Sequence, residues 1–229
     1  DMRYVHEETE FVSGLPQSGG DAGGDPSPWT ALGCFQGIEA AVQARLGAAS
    51  VKGLRVAVQG VGHVGLYLCR HLHEAGAELY VSDVSSDCLK QVEAEMPVTV
   101  IPPADLLFAD VDVLAPCALG NILTSATIPK IRAKVIAGGA NNQLSTPADG
   151  VRLAERDILY APDYVINAGG IISVAAEYYD DGSEDDVRAD VGRIKDRLQK
   201  IFEQARQTGR PTHELADELA RSIVAAARQ

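Results

Sequence analysis

The chain has 229 residues, of which 46% are hydrophobic, and its formal net charge at pH 7 is −12. This length supports a sizeable core, in one large domain or in one domain and part of another. The acidic balance argues against a nucleic-acid partner, because phosphate binding requires clustered Lys and Arg. The apolar runs are too short for a membrane span, so we expect no membrane partner.

Cysteine usage and the first residues bear on the cellular compartment. The four cysteines, at positions 34, 69, 88 and 117, show no CxxC or Cys/His spacing, so we expect reduced thiols and no metal centre. The chain opens on Asp1-Met2-Arg3 without the apolar region of a signal peptide. We therefore predict a cytoplasmic protein.

In chain order, four segments differ in composition and in the pattern of their apolar residues. Residues 1–29 are predicted to be an opening segment that is mostly loop, because Gly, Ser, Pro and Asp dominate its second half. Residues 30–52 are predicted to be a connecting segment, a helix that runs to about Leu46. Residues 53–169 alternate apolar runs with helical stretches, which predicts an α/β fold with a Rossmann-type doubly wound parallel sheet. Residues 170–229 are predicted to form a helical C-terminal segment.

The alternation also predicts individual elements. The predicted strands are residues 54–59, 78–81, 98–101, 111–115, 135–137 and 158–160, and the predicted helices after the connecting helix are residues 64–75, 86–95, 104–108, 169–178, 184–207 and 211–228.

A glycine-rich motif, Gly-Val-Gly-His-Val-Gly at residues 60–65, follows the first predicted strand directly. Gly60 permits a tight turn off the strand, and Gly62 lets the backbone approach a pyrophosphate. Gly65 allows the following helix to pack closely on the strand, and the helix N-terminus directs its free N–H groups at the phosphates. A glycine-rich turn without a ligand is the alternative, but the strand and helix around the motif favour a dinucleotide site.

Three further residues belong to this predicted site. Asp83 ends the second predicted strand, eighteen residues beyond Gly65. There a carboxylate accepts both ribose hydroxyls of the adenosine half and repels a 2′-phosphate, so NAD is favoured over NADP. His63 and Val64 lie inside the motif; His63 either adds positive charge near the pyrophosphate below neutral pH or is a solvent-facing filler.

Polar, glycine-rich loops follow the later predicted strands, at residues 115–120, 138–143 and 161–170. Ligands of open parallel sheets bind outside the carboxyl ends of the strands, so these loops are the expected cofactor wall. Asn142 and Asn167 are neutral amides that donate and accept hydrogen bonds, as a nicotinamide carboxamide or a ribose requires. Asparagines beside glycines also simply form turns, and that alternative stays open.

The acidic residues at 180–186 are a weaker candidate for a site. They lack the ligand alternation of a calcium loop, and acids before a helix commonly cap its N-terminus. We expect a helix cap here and no metal.

Several of these motifs together resemble the Glu/Leu/Phe/Val dehydrogenase family, with most similarity to its leucine, valine and phenylalanine members. They are the fingerprint within residues 53–83, the Ala-Pro-Cys-Ala-Leu-Gly loop at 115–120, the Ala-Asn-Asn-Gln run at 140–143 and residues 160–170. Residues 6–12 and 26–31 also resemble the family's approach to its cofactor domain, so nearly the whole chain is covered. Such enzymes oxidatively deaminate an L-amino acid to a 2-oxo acid and ammonia with NAD, and catalyse the reverse reaction.

The resemblance implies roles for individual residues. Thr30 is expected near the nicotinamide carboxamide, and Asn142 and Asn167 are expected to position the nicotinamide. Cys117 and Ala118 are expected to line the adenine and ribose side.

The resemblance also implies the substrate side and the partner. Val174 resembles a position that lines the substrate side-chain pocket, which implies an apolar substrate; ordinary helix packing is the alternative. The family's catalytic lysines and aspartate belong to an amino-terminal domain whose motifs this sequence lacks, so no catalytic residue is expected in this chain. A complementary catalytic domain or chain is the expected partner, and the oligomeric state is left open.

Two other functions remain open at this point. The chain could be a non-catalytic NAD-binding or regulatory subunit, which the lack of the lysine motifs favours. It could also belong to a biosynthetic relative that acts on 2-oxo acids with altered chemistry.

Overall fold

A computed structural model of the chain describes residues 2–15, 23–179 and 183–228. Within these ranges the strands are β1 (Arg55–Gln59), β2 (Glu78–Ser82), β3 (Thr99–Val100), β4 (Val113–Pro116), β5 (Val135–Ile136) and β6 (Leu159–Tyr160). They form one sheet in the order β3-β2-β1-β4-β5-β6, and all paired strands are parallel. The chain leaves β1 toward one edge of the sheet and then returns to build the other half from β4. The predicted Rossmann-type α/β fold is therefore confirmed.

The helices of the described part surround this sheet. They are α1 (Met2–His6), α2 (Ser27–Leu46), α3 (His63–Glu74), α4 (Ser86–Glu95), α5 (Pro103–Leu106), α6 (Pro147–Glu155), α7 (Asp163–Ile166), α8 (Gly169–Tyr178), α9 (Glu184–Thr208) and α10 (Thr212–Ala226), with one 3-10 turn at Ile128–Lys130. Among the described residues, none of these helices is both long and apolar enough to cross a bilayer.

Both faces of the sheet are covered, which explains why its central strands read as continuous apolar runs. In β1, Val56 and Val58 pack into a core shared with α2, α3 and α9, whereas Ala57 faces a second core on the opposite side. The same division separates Val135 of β5 from its neighbour Ile136. Successive side chains of a strand point to opposite faces, so each strand supplies both cores.

Helix α2 crosses one face of the sheet and packs closely on α9 through two glycines. A Cβ atom added at Gly33 would lie 2.8 Å from Cδ1 of Ile194, and one added at Gly37 would lie 2.9 Å from Cδ1 of Leu198 and overlap the side chain of Ile166. All three isoleucine and leucine side chains are fully buried. The absence of side chains at these two positions therefore sets the distance between the helices.

The helix boundaries refine the sequence prediction. The connecting helix begins at Ser27, earlier than predicted, with Pro28 in its first turn, where proline is favoured. It ends at Leu46, as predicted, because Gly47 takes a left-handed conformation (φ 66°). The division of the chain into four segments stays a prediction.

Three helices, α1, α6 and the short α7, were not predicted. Helix α6 carries a recognisable start signal: the carboxylate of Asp149 accepts a hydrogen bond from the Thr146 N–H (2.9 Å), and Pro147 opens the helix. The pattern Thr-Pro-x-Asp was therefore available in the sequence.

The predicted cap before the long acidic helix is present in the described part. Ser183 accepts a hydrogen bond from the Asp186 N–H, and the Asp186 carboxylate accepts one from the Ser183 N–H (2.9 Å). These hydrogen bonds lower the pKa of Asp186. Residues 180–182 of the acidic segment lie outside the described residues.

The α2–α9 contact makes a prediction about stability. Gly37→Ala should lower the free energy of unfolding by about 1–3 kcal/mol, because the added methyl overpacks a buried contact. Gly192→Ala, on α9, is the matched control, since a Cβ there meets no atom within 4 Å. The control should raise the free energy of unfolding by about 0.5–1 kcal/mol through helix propensity. Urea denaturation of both variants measures the difference, and equal effects would contradict the close packing.

Candidate functional site

The candidate site lies at the carboxyl edge of the sheet, where the loops after β1, β4 and β5 meet. The Gly60 N–H donates to the Ser82 carbonyl (2.7 Å), and the Cys117 N–H donates to the Gln59 carbonyl (2.7 Å). The loops after neighbouring strands are thus tied together beside the point where the strand order reverses. Open α/β sheets bind their ligands at this position.

Two of the three fingerprint glycines are required by the fold itself. Gly60 has φ +87°, and a Cβ there would lie 2.7 Å from Cβ of Ala118. A Cβ on Gly65 would overlap the carbonyl oxygen of Gly60. Helix α3 therefore packs against the end of β1 at a distance that only glycine permits.

Gly62 differs from these two, because a Cβ there meets nothing within 4 Å and its φ is −69°. The residue is exposed and is the N-cap of α3, with no side-chain cap and no acid in the first helical turn. Glycine is one of the favoured N-cap residues, but neither packing nor a positive φ requires it here. A ligand that lies against the backbone does require it.

Two further residues of the motif, His63 and Val64, begin the helix at this open end. His63 is exposed, in keeping with either interpretation of its role. Val64 is half-buried, and its Cγ1 lies 3.2 Å from the position that a Cβ on Gly139 would take. Val64 thus joins the fingerprint turn to the loop after β5.

Asp83 braces the fingerprint turn from the end of β2. Its Oδ2 accepts a hydrogen bond from the Val61 N–H (2.8 Å), and its Oδ1 accepts one from the Ser85 N–H (2.8 Å). Asp83 is half-buried, and each carboxylate oxygen has a second lone pair for a further donor. The next residue, Val84, is 93% exposed.

The loop after β4 presents small and apolar groups. Burial raises the pKa of the Cys117 thiol to about 11, so the thiol is neutral at pH 7. Ala118 is exposed, and Leu119 is 77% exposed. All four cysteines are free, as predicted.

The predicted asparagines lie in two loops, Asn142 after β5 and Asn167 after β6 and α7, and the partner of Asn167 is unexpected. Asn167 donates through Nδ2 to Oδ1 of Asn141 (2.6 Å) and to the Gly139 carbonyl (3.2 Å). Asn142 is exposed in the left-handed region (φ 53°), and its carbonyl accepts from the Asn121 N–H (2.6 Å). Asn141, which sequence reasoning missed, is therefore the immediate neighbour of Asn167.

Two other missed residues, Gln143 and Asp163, join this loop to the next one. The Gln143 N–H donates to Oδ2 of Asp163 (2.8 Å), and Asp163 opens the short helix α7 that ends before Asn167. Both residues lie within the family motifs, but the motifs gave no signal for this contact, because it joins residues twenty positions apart.

Thr30 lies at the same edge. Its hydroxyl donates to the Pro26 carbonyl (3.1 Å), and a Cβ on Gly170 would lie 2.5 Å from its Oγ1. Its Cγ2 lies 3.8 Å from the position of a Cβ on Gly139. The structure thus brings Thr30 together with the loops that carry the asparagines.

Val174 lies on the face of α8 that points away from the core. Ile172 and Ala176 of this helix pack against the core. Val174 is two residues from each of them, which places it about 160° around the helix axis from both. It is half-buried, and Ile171, one turn earlier, is 66% exposed. Ordinary core packing therefore does not account for Val174.

All six lysines of the chain fall within the described residues, and none of them is buried. Lys195 is half-buried and pairs with Glu39 (3.0 Å). The described residues also contain no group of three or more His, Cys, Asp and Glu side chains arranged to hold a metal ion.

A separate cleft of about 690 Å³ opens between α2, α9 and the β6 edge, and none of the predicted site residues lines it. Its arginines, Arg45, Arg206 and Arg210, each pair with a carboxylate. This cleft therefore offers no uncompensated charge to a ligand.

The sheet order and the glycine turn define a Rossmann-type α/β protein. The sequence pattern described as Glutamate/Leucine/Phenylalanine/Valine dehydrogenase matches residues 23–92 and 79–229. The chain belongs to this family, as the resemblance implied.

Individual relatives agree with this assignment. The leucine dehydrogenase of Geobacillus stearothermophilus is 42% identical over 229 residues, which is 100% of this chain and 62% of the relative. An L-tryptophan dehydrogenase of Nostoc punctiforme is 45% identical over 223 residues, 96% of this chain and 61% of the relative. The crystal structure of L-tryptophan dehydrogenase from Nostoc punctiforme superposes with a TM-score of 0.83 at 46% identity, covering 86% of this chain and 60% of that one. The chain thus spans about three-fifths of the length of these relatives.

Proposed function

We propose that this chain is the NAD-binding part of an amino-acid dehydrogenase that reversibly converts an apolar L-amino acid to a 2-oxo acid and ammonia. The observation that carries the proposal is the open backbone at Gly62, a glycine that the fold does not require. It stands at the N-terminus of a twelve-residue helix whose first turn contains no acid. A pyrophosphate fits there because the backbone N–H groups and the helix dipole favour negative charge.

The adenosine half fits the other side of the turn. Asp83 presents a carboxylate for the ribose hydroxyls from the end of β2. Val84 follows it, and Ala118 and Leu119 after β4 add exposed apolar surface on which an adenine ring can pack. The half-buried, neutral thiol of Cys117 adds no charge.

The nicotinamide half fits the loops after β5 and β6. Thr30, Asn142 and Asn167 supply neutral hydrogen-bonding groups, and Asn141 is paired with Asn167. When bound, NAD supplies the hydride acceptor for the amino-acid carbon. Val174, on the outward face of α8, lines the apolar substrate pocket in this proposal.

Proton transfer and recognition of the substrate carboxylate are proposed to come from a complementary catalytic domain or chain. A lysine acts as a base near pH 7 when it is desolvated or crowded by positive charge. None of the six lysines here is buried. This observation also favours a second candidate, an NAD-binding chain that senses the cofactor and does no chemistry.

Gly62→Ala tests the pyrophosphate contact. The added methyl occupies the space of the phosphate, so NADH affinity should fall by about tenfold or more. The free energy of unfolding should fall by no more than about 1 kcal/mol, the cost of alanine in place of glycine at an N-cap, because the methyl meets no protein atom. Isothermal titration calorimetry measures the affinity and urea denaturation measures the stability. Unchanged NADH affinity would contradict the site.

Asp83→Asn tests the choice between NAD and NADP. The wild-type chain should bind NADH at least about tenfold more tightly than NADPH, because the carboxylate repels the 2′-phosphate. The amide side chain of the variant keeps an acceptor but loses the charge, so the ratio of the two affinities should shrink. The ratio is measured by calorimetric titration, and an equal preference in the wild-type chain would sink the assignment.

Complementation separates the two candidate functions. This chain is mixed with the amino-terminal domain of the Geobacillus stearothermophilus leucine dehydrogenase, and NADH formation from leucine, valine and phenylalanine is followed. Turnover that requires both parts is the expected result. A chain that binds NADH but supports no turnover, here or when joined covalently to that domain, supports the non-catalytic function.

A further inference from the structure

Gln143 is a fully buried polar side chain directly beneath the loop that carries Asn141 and Asn142. Its Nε2 donates to the carbonyl oxygens of Gly138 (2.8 Å) and Ala140 (2.9 Å). Two carbonyl acceptors fix the orientation of the amide, since only the NH₂ end can donate to them. The loop is therefore closed around this one side chain.

This closure determines which groups of the loop face outward. The carbonyls of Gly138 and Ala140 turn inward to Gln143, whereas Asn141 and Asn142 are exposed. An apolar side chain at position 143 would leave both carbonyls without their donor. The loop would then lose the hydrogen bonds that hold its inward turn.

The main chain of Gln143 also links the loop to helix α7. The Gln143 N–H donates to Asp163, which opens the helix, and Asn167, just after the helix, donates back to the Gly139 carbonyl and to Asn141. The loop and the helix therefore hold each other at both ends. The Gln143 N–H is a main-chain donor that any substitution except proline keeps, so a change of this side chain reaches the Asn141–Asn167 pair through the two carbonyls that its Nε2 holds.

Fold stability alone does not account for a glutamine here. Its Oε1 is buried and has no hydrogen-bond partner among the described residues, and such an atom costs free energy. The two carbonyls that its Nε2 binds belong to the same loop. These hydrogen bonds therefore fix the shape of the loop and do not join separate parts of the fold.

We propose that Gln143 is a positioning residue that holds the Asn141–Asn167 pair toward the nicotinamide half of the dinucleotide. It controls affinity for that half and not for the adenosine half, which binds at the Gly62 turn and Asp83. The inference rests on the proposed function.

ADP-ribose separates the two halves, because it carries the adenosine and pyrophosphate but no nicotinamide. In Gln143→Leu, which removes both donors at similar volume, NADH affinity should fall by about tenfold, because the loop no longer fixes the Asn141–Asn167 pair toward the nicotinamide half. Affinity for ADP-ribose should stay within about twofold of wild type, since its contacts are elsewhere. Both are measured by isothermal titration calorimetry on this chain.

Thr212→Val is the matched control. Thr212 is also buried, and its hydroxyl donates to the Tyr160 carbonyl (2.6 Å) at the edge strand β6. This variant should lose stability in urea denaturation and bind both ligands as wild type does. If Gln143→Leu does not fold, Gln143→Met is measured in its place, because its flexible side chain fills a similar volume.

Each remaining outcome overturns the proposal. Equal losses for NADH and ADP-ribose would show a general structural role, and unchanged affinity for NADH would show that the loop does not depend on Gln143. A wild-type chain that binds neither ligand refutes the proposed function itself, and is recognised before any variant is made.

Discussion

The contact between Gly65 and the carbonyl of Gly60 is the constraint on which the rest of the site depends. It brings the first turn of α3 against the end of β1, at a distance that excludes any side chain. The helix N-terminus is therefore held at the carboxyl edge of the sheet, where Asp83 and the loop after β4 also end. A looser turn would tilt the helix and separate its N–H groups from the residues that complete the site.

The three positions of this turn are occupied by glycine for different physical reasons. Gly60 and Gly65 are required by backbone conformation and packing, so they would be needed in this fold with or without a ligand. Gly62 is in ordinary backbone conformation with free space around it. A sequence motif cannot separate these cases, because it counts the glycines equally. The structure separates them, and only the glycine that packing and conformation do not require supports a ligand.

Local patterns account for much of what the sequence predicted. The bounds of α4 and α8 agree with the prediction, and those of β1 differ by one residue. The signals for these elements are local, because the spacing of apolar residues, helix caps and glycines act over a few neighbouring positions. The family resemblance was likewise carried by short contiguous motifs. Helix α6 was missed although its Thr146–Asp149 start signal is local, so that error was avoidable.

Other parts of the site could not be predicted from local patterns. Gln143 reaches Gly138 over five residues, but its bond to Asp163 spans twenty, and the Asn141–Asn167 pair spans twenty-six. Such contacts depend on the order of β5 and β6 in the sheet and on the path of α7. The predicted role of Asn142 stays a prediction, whereas the partner of Asn167 is visible only in the fold.

The chemistry available at this edge indicates a division of labour. Backbone N–H groups, neutral amides, one carboxylate and a thiol with a raised pKa can hold and orient a dinucleotide without placing a positive charge beside the nicotinamide. In the proposed reaction the base for amine oxidation has to come from elsewhere, because the described lysines are solvent-accessible. Orientation of the cofactor and movement of the proton therefore require different environments, one neutral and one crowded with charge. In our proposal a cleft between two domains supplies both, and its closure brings them together only when the substrate is bound.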